Sequence, residues 1–275
     1  MNLPTRRFSS VRRAFVPYLM AGYPDPDTFC RLFRDVCVAG ADIVEVGIPF
    51  SDPLADGPTI QHASERALAH GVTVSQALSM LAECGASSST PAVIMSYLNP
   101  LLQYGLERFA REAHRVGVRG LIVPDTIVEE TAPLERICRS CGIDLVQLLA
   151  PTSPPERQQL ILQRTRGFVY LVSVAGVTGA RPLLADDLVQ WIAHIKAQSP
   201  VPVVVGFGIS TPEQAARVAS EADGVVIGSA IIDIVRHSTS SDAACAEVKA
   251  FTSAVRHALD AVPPVTQSPL PSRRI

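Results

Sequence analysis

Eight short apolar runs recur along the chain, separated by longer segments of helical period. The runs are AFVPYLMAG (14–22), DIVEVGIP (42–49), PAVIMSYL (91–98), GLIVPD (120–125), DLVQLLAP (144–151), FVYLVSV (168–174), VPVVVGFG (201–208) and GVVIGSA (224–230). Most are too continuously apolar for a sheet with one wet face, which is how parallel strands covered on both sides read. Between them, TFCRLFRDVCVAG sets Phe29, Leu32, Phe33, Val36 and Cys37 on one stripe and closes with Gly40. LERFAREAHRVGV and PEQAARVASEADG repeat the pattern. Strict alternation implies right-handed crossovers and a parallel sheet. Eight units can close into a single-domain (β/α)8 barrel, the TIM-barrel architecture. An open doubly wound sheet has the same alternation. The chain has 275 residues, close to the roughly 250 that one such barrel needs. We expect the barrel with an N-terminal extension over 1–262, and a disordered tail over 263–275, where PPVTQSPLPSRRI has little apolar material to bury.

A formal net charge of −2 gives no pull towards nucleic acid or an anionic membrane, so any bound phosphate needs a local site. No apolar run reaches the roughly 20 residues of a membrane span. The basic-then-apolar start could suggest a signal peptide, but Pro17 interrupts it and the segment reads as the first strand. A cytoplasmic location is expected. The six cysteines need no disulfide framework, and the Cys138–Cys141 C-x-x-C has no second pair to make a zinc site.

In a barrel of this kind the chemistry sits at the C-terminal strand ends. Glu45 interrupts the second run, and alternation places it with Ile43 and Gly47 on the face opposite Val44, Val46 and Ile48. If the valines meet the helices, Glu45 points into the barrel. A carboxylate there has its pKa raised towards the range useful for proton transfer. The bland alternative is a structural ion pair, but none of the strand runs contains an arginine or lysine to supply it. The following loop, SDPLADG, carries Asp52 and Asp56, and turn chemistry alone does not choose between them. Only His62 lies near these acids, so no metal is expected. The seventh and eighth runs end in Gly206 and Gly208, and in Gly228 and Ser229, each before a helical stretch. GVTGA (176–180) adds further small residues. Glycine loops leading into helix N-termini favour an anion, here a phosphorylated substrate.

VEVGIPFSDPLADGPTIQ is similar to the signature of tryptophan synthase alpha chains, and the likeness continues through MSYLNPLLQYGLERF, YLVSVAGVTGAR, VVVGFGIS and GVVIGSAII. It spans roughly residues 14 to 235. The resemblance implies a lyase of tryptophan biosynthesis that splits indole-3-glycerol phosphate in a retro-aldol sense, giving indole and D-glyceraldehyde 3-phosphate. It makes Glu45 and Asp56 the catalytic pair. Glu45 moves a proton to indole C3, and Asp56 holds the indole N–H. It assigns Tyr18, Met95, Tyr97, Leu148, Phe207 and Val226 to the indole pocket, Tyr170 and Thr178 to positions beside the pair, and Gly179, Gly208, Gly228 and Ser229 to the phosphate. Asp52 falls where the family meets its beta subunit. An α2β2 heterotetramer is implied, with pyridoxal phosphate in the beta partner and no cofactor in this chain. A free-standing indole-releasing lyase is the alternative. A phosphosugar isomerase or epimerase on the same barrel, or a non-catalytic activating subunit, would fit the residues less fully.

Overall fold

The computed structural model describes residues 3, 8, 12–85, 90–172, 185–206 and 208–263. Eight parallel strands close into a barrel: β1 (Ala14–Met20), β2 (Val44–Gly47), β3 (Ala92–Met95), β4 (Val118–Ile122), β5 (Asp144–Leu149), β6 (Val169–Leu171), β7 (Val203–Val205) and β8 (Gly224–Ile227). This is the (β/α)8 architecture, and the open-sheet alternative falls because β1 pairs with β8.

Helices cover the outside. The helix Pro26–Val38 starts where the Asp25 side chain accepts the Thr28 backbone N–H at 2.9 Å, with proline in its first turn. It buries Phe29, Leu32, Phe33 and Val36, the stripe read from the sequence. Each such side chain contributes roughly 1.5–3 kcal/mol when fully buried. Among the described residues no helix is long and apolar enough to cross a membrane.

The register sets which side chains share a layer inside the barrel. Tyr18 pairs with Glu45, Glu45 with Val93, and Gly47 with Met95. Leu148 pairs with Tyr170, and Tyr170 with Val204. Strand β4 starts two residues before the run GLIVPD and so takes in Arg119, which lies outside the apolar runs. Its guanidinium donates to the His114 carbonyl at 2.8 Å and the Val118 carbonyl at 2.9 Å, and gives Glu45 no counter-ion.

The floor of the barrel is closed from both ends of the chain. Leu3 is buried, and its backbone N–H donates to the Asp144 carboxylate at 2.8 Å. Asp42, fully buried, accepts from the Phe15 N–H at 3.0 Å and from Arg256 at 2.9 Å. Arg256 also donates to the Arg13 carbonyl at 2.9 Å, tying the last helix, Ser241–Asp260, to the start of β1.

Candidate active site

The opposite end of the barrel opens into a cavity of about 800 Å³. Its lining includes Tyr18, Glu45, Asp56, Met95, Leu148, Tyr170, Gly208, Val226, Gly228 and Ser229, so ten of the residues singled out from sequence meet in one space. Thr178, Gly179 and Phe207 lie outside the described residues, as does the tail beyond Pro263.

Glu45 is 1% exposed, and neither carboxylate oxygen has a hydrogen-bond partner of good geometry among the described residues. Burial, and then the nearby Asp56 charge, raise its pKa to about 8, while the Tyr170 hydroxyl offsets part of the rise. Buried carboxyls without a counter-ion keep their proton. Asp56 stands on the loop after β2 and is partly buried. Burial raises it to about 6, and the nearby Tyr97 hydroxyl limits the rise. Near neutral pH the pair therefore divides into a protonated Glu45 and an ionised Asp56, one acid and one base side by side.

Tyr97 is not part of the cavity lining; it holds the loop that carries Asp56. Its oxygen accepts the Ala55 backbone N–H at 2.9 Å, and the same hydroxyl stands near enough to Asp56 to hold that carboxyl's pKa down. Its ring packs on Phe50 with centroids 5.2 Å apart. The next residue, Leu98, donates its N–H to the Asp125 carboxylate at 2.9 Å, which joins the loops after β3 and β4. Asp52 sits exposed on the same loop as Asp56, outside the cavity lining.

Two glycines were not singled out for what they do here. A methyl group on Gly47 would stand 2.1 Å from the Tyr18 hydroxyl, and one on Gly206 would stand 2.3 Å from the Tyr170 hydroxyl. Each glycine leaves the space in which an inward tyrosine lies across the barrel. The available signal was positional. Gly47 shares its inward face with Glu45, and a missing side chain in that layer has to be filled by a neighbour.

The two late strands differ as anion sites. The helix Pro212–Ala219 is already capped by Thr211 and Gln214, each bonding the other's backbone. The helix Ser229–His237 has no side-chain cap, and Gly228, Ser229 and Ala230 at its start line the cavity. Its first-turn N–H groups and positive dipole end make it the better place for an anion. Gly208, at φ +65° and with open space where a side chain would go, brings backbone to the cavity from the other side.

A sequence model described as tryptophan synthase alpha chain matches residues 6–260. The chain belongs to that family. It is 47% identical over 248 residues to the tryptophan synthase alpha chain of Geobacter sulfurreducens, covering 90% of this chain and 94% of that protein. The alpha chain of Synechococcus sp. strain CC9902 is 45% identical over 259 residues, covering 92% and 96%. Among solved structures, tryptophan synthase subunit alpha from Legionella pneumophila superposes with a TM-score of 0.83 at 39% identity, covering 90% of this chain and 93% of that one.

Proposed function

We propose that this chain cleaves indole-3-glycerol phosphate into indole and D-glyceraldehyde 3-phosphate, as the alpha subunit of a tryptophan synthase. One observation carries the reading. A buried, proton-holding Glu45 and an ionisable Asp56 share a cavity that ends in an uncapped helix N-terminus. The uncapped turn, with Gly228 and Ser229, takes the phosphate. The indole ring lies among Tyr18, Met95, Leu148 and Val226, with Phe207 assigned to the same pocket by family likeness, and Tyr170 and Thr178 to positions beside the catalytic pair. Asp56 accepts the indole N–H and favours positive charge on the ring. Glu45 gives its proton to C3. The bond from C3 to the side-chain carbinol then breaks, its electrons return to the ring, and the carbinol proton passes to the freed Glu45 carboxylate as the aldehyde forms. Proton transfer of this kind contributes roughly 10²–10⁴ in rate.

The pH dependence follows with a definite sign. Glu45 must hold its proton, so kcat/KM falls as pH rises through about 8. Asp56 must be ionised, so it falls as pH drops through about 6. A bell between these limits in an indole-release assay is the expected profile. A flat profile from pH 5 to 9 would remove the pair from the mechanism.

The partner reading rests on the rim. Leu54 is 94% exposed, Leu102 52% and Ile127 48%, and they sit after β2, β3 and β4 on the cavity side. Large apolar side chains gathered on one rim mark a protein surface waiting to be covered. The bonds from Ala55 to Tyr97 and from Leu98 to Asp125 connect these three loops to Asp56. A beta subunit packing there orders a catalytic group, so binding appears as rate. The assembly is proposed as α2β2, with pyridoxal phosphate in the beta partner. Leu54→Asp should leave the slow indole release of the isolated chain within about twofold and weaken beta-subunit activation by roughly tenfold or more. Full activation of that variant would move the interface elsewhere. A wild-type chain that is fast alone and gains nothing from a beta subunit would support the free-standing lyase.

A further inference from the structure

Tyr18 spans the cavity between its two chemically distinct ends. The root of its side chain lies against Gly228, where an added methyl would meet Tyr18 Cβ at 3.4 Å and the ring carbons at 3.5 Å. Its hydroxyl lies over Gly47, 2.1 Å from where a methyl would be. Gly228 opens the proposed phosphate turn, and Gly47 lies two residues beyond Glu45 on β2. The ring therefore runs along the stretch that separates phosphate from the proton-transfer centre. In the proposed substrate that stretch is the glycerol chain, and its carbinol next to the indole ring lies at the Glu45 end.

The hydroxyl opens on the cavity, where a ligand can reach it. Tyr18 is 6% exposed and lines the cavity, and its oxygen makes no hydrogen bond among the described residues. A hydroxyl with no protein partner, aimed into a cavity, is free to bond a ligand that enters it. Burial, Asp56, Glu45 and Tyr97 all hold its pKa well above the ordinary tyrosine value, so it remains a donor across the working pH range.

We propose that the Tyr18 hydroxyl donates a hydrogen bond to the substrate's carbinol oxygen, the oxygen that becomes the aldehyde of the three-carbon product. The bond leaves the carbinol proton facing Glu45 and supports the oxygen as its own proton departs. Tyr18 thereby becomes a substrate-contacting residue that distinguishes a hydroxylated side chain from a plain alkyl one, beyond its place as a wall for the indole ring. This inference rests on the site reading above.

The test compares two ligands on the full-length chain with its beta subunit. One is indole-3-glycerol phosphate. The other is 3-(indol-3-yl)propyl phosphate, which keeps ring and phosphate but lacks both hydroxyls. Tyr18→Phe should lower kcat/KM for the substrate by roughly tenfold, while the inhibition constant of the stripped analogue stays within about twofold or tightens, because the orphan hydroxyl is gone. Gly47→Ala should also lower kcat/KM by displacing the hydroxyl of an intact Tyr18. Adding Tyr18→Phe to it should then cost less than the two single losses combined. Equal weakening of both ligands by Tyr18→Phe would show a packing role only and overturn the inference, as would an unchanged kcat/KM. Glu45→Gln serves as the control for the site itself. If that variant keeps full activity, or if wild-type enzyme does not bind the stripped analogue, the site reading fails and takes this inference with it. Indifference confined to Tyr18→Phe leaves the site reading intact.

Discussion

Glu45→Gln is expected to lower indole release by roughly 10²–10⁴ and, at the same time, to make the protein more stable in alkaline solution. Glutamine keeps the shape of the side chain but has no transferable acid proton, so the rate loss falls on kcat more than on KM. The stability gain comes from burial without a counter-ion. In the fold Glu45 holds its proton up to about pH 8, against an ordinary value of 4.5. In the unfolded chain it loses that proton near the ordinary value. Below about pH 4.5 both states are protonated and the carboxyl carries no penalty. Between these limits unfolding releases a proton, so stability falls as pH rises, and the loss is complete above about 8. The total is on the order of a few kcal/mol, which glutamine, having no charge to bury, does not incur. The melting-temperature difference between variant and wild type should therefore be small at pH 4.5 and grow to several degrees by pH 9. A variant with near wild-type turnover removes Glu45 from catalysis. One with a pH-independent melting difference shows that its charge is not buried. Asp56→Asn should also suppress turnover, with a smaller stability gain, since Asp56 reaches only about 6.

Gly228→Asp should raise KM by roughly a hundredfold or more, through like-charge repulsion and loss of the anion's donors. The substitution does not need to disturb the fold to do this. Aspartate is a favoured residue at a helix N-terminus, and the helix Ser229–His237 has no side-chain cap of its own. The new carboxylate would accept the first-turn N–H groups that the proposed phosphate site offers, and add negative charge beside it. Gly228→Ala separates charge from bulk. Its methyl would meet Tyr18 at 3.4 Å, an ordinary contact, so KM should stay within a fewfold of wild type. An unchanged KM in the aspartate variant would place the phosphate elsewhere in the cavity.

How much of this could be read from the sequence depended on the range of the interaction. The strands were legible because burial on both faces writes itself into continuous apolar runs. The inward aim of Glu45 was legible because strand alternation is a local rule. The start of β4 lies two residues before the apolar run because Arg119 is polar and adds nothing to an apolar pattern. Its bonds to the His114 and Val118 carbonyls let it sit there, and these depend on a turn that pattern alone does not locate. The choice between Asp52 and Asp56 was open to turn chemistry, and family likeness had to decide it. The structure supplies a physical difference, since Asp56 lines the cavity beside the Tyr97 hydroxyl while Asp52 stands exposed. Tyr97 as a brace for that loop, and Gly47 as the berth of Tyr18, were out of reach. Both depend on which side chains of different strands fall opposite one another, and that is fixed only when the barrel closes.

Closure also gives the cavity a part in keeping the molecule folded. The β1–β8 seam joins the beginning of the chain to its end, with Ala14 beside Gly224 and Pro17 beside Ile227. On the floor the seam is bolted by Arg256, which reaches the Arg13 carbonyl across 243 residues of chain. On the ceiling, Tyr18 and Gly228 stand on its two sides, where a methyl added to Gly228 would meet Tyr18 at 3.4 Å. A molecule that touches both Glu45 and the turn at Gly228 stitches the seam from above, and it can do so only when the barrel is shut. Mass action then adds its free energy of binding to the stability of the closed form, about 2.7 kcal/mol when the ligand stands at a hundred times its dissociation constant. The supply of substrate thus sets how tightly this chain stays closed, and a cell short of that metabolite would hold the same protein in a looser, more perishable state.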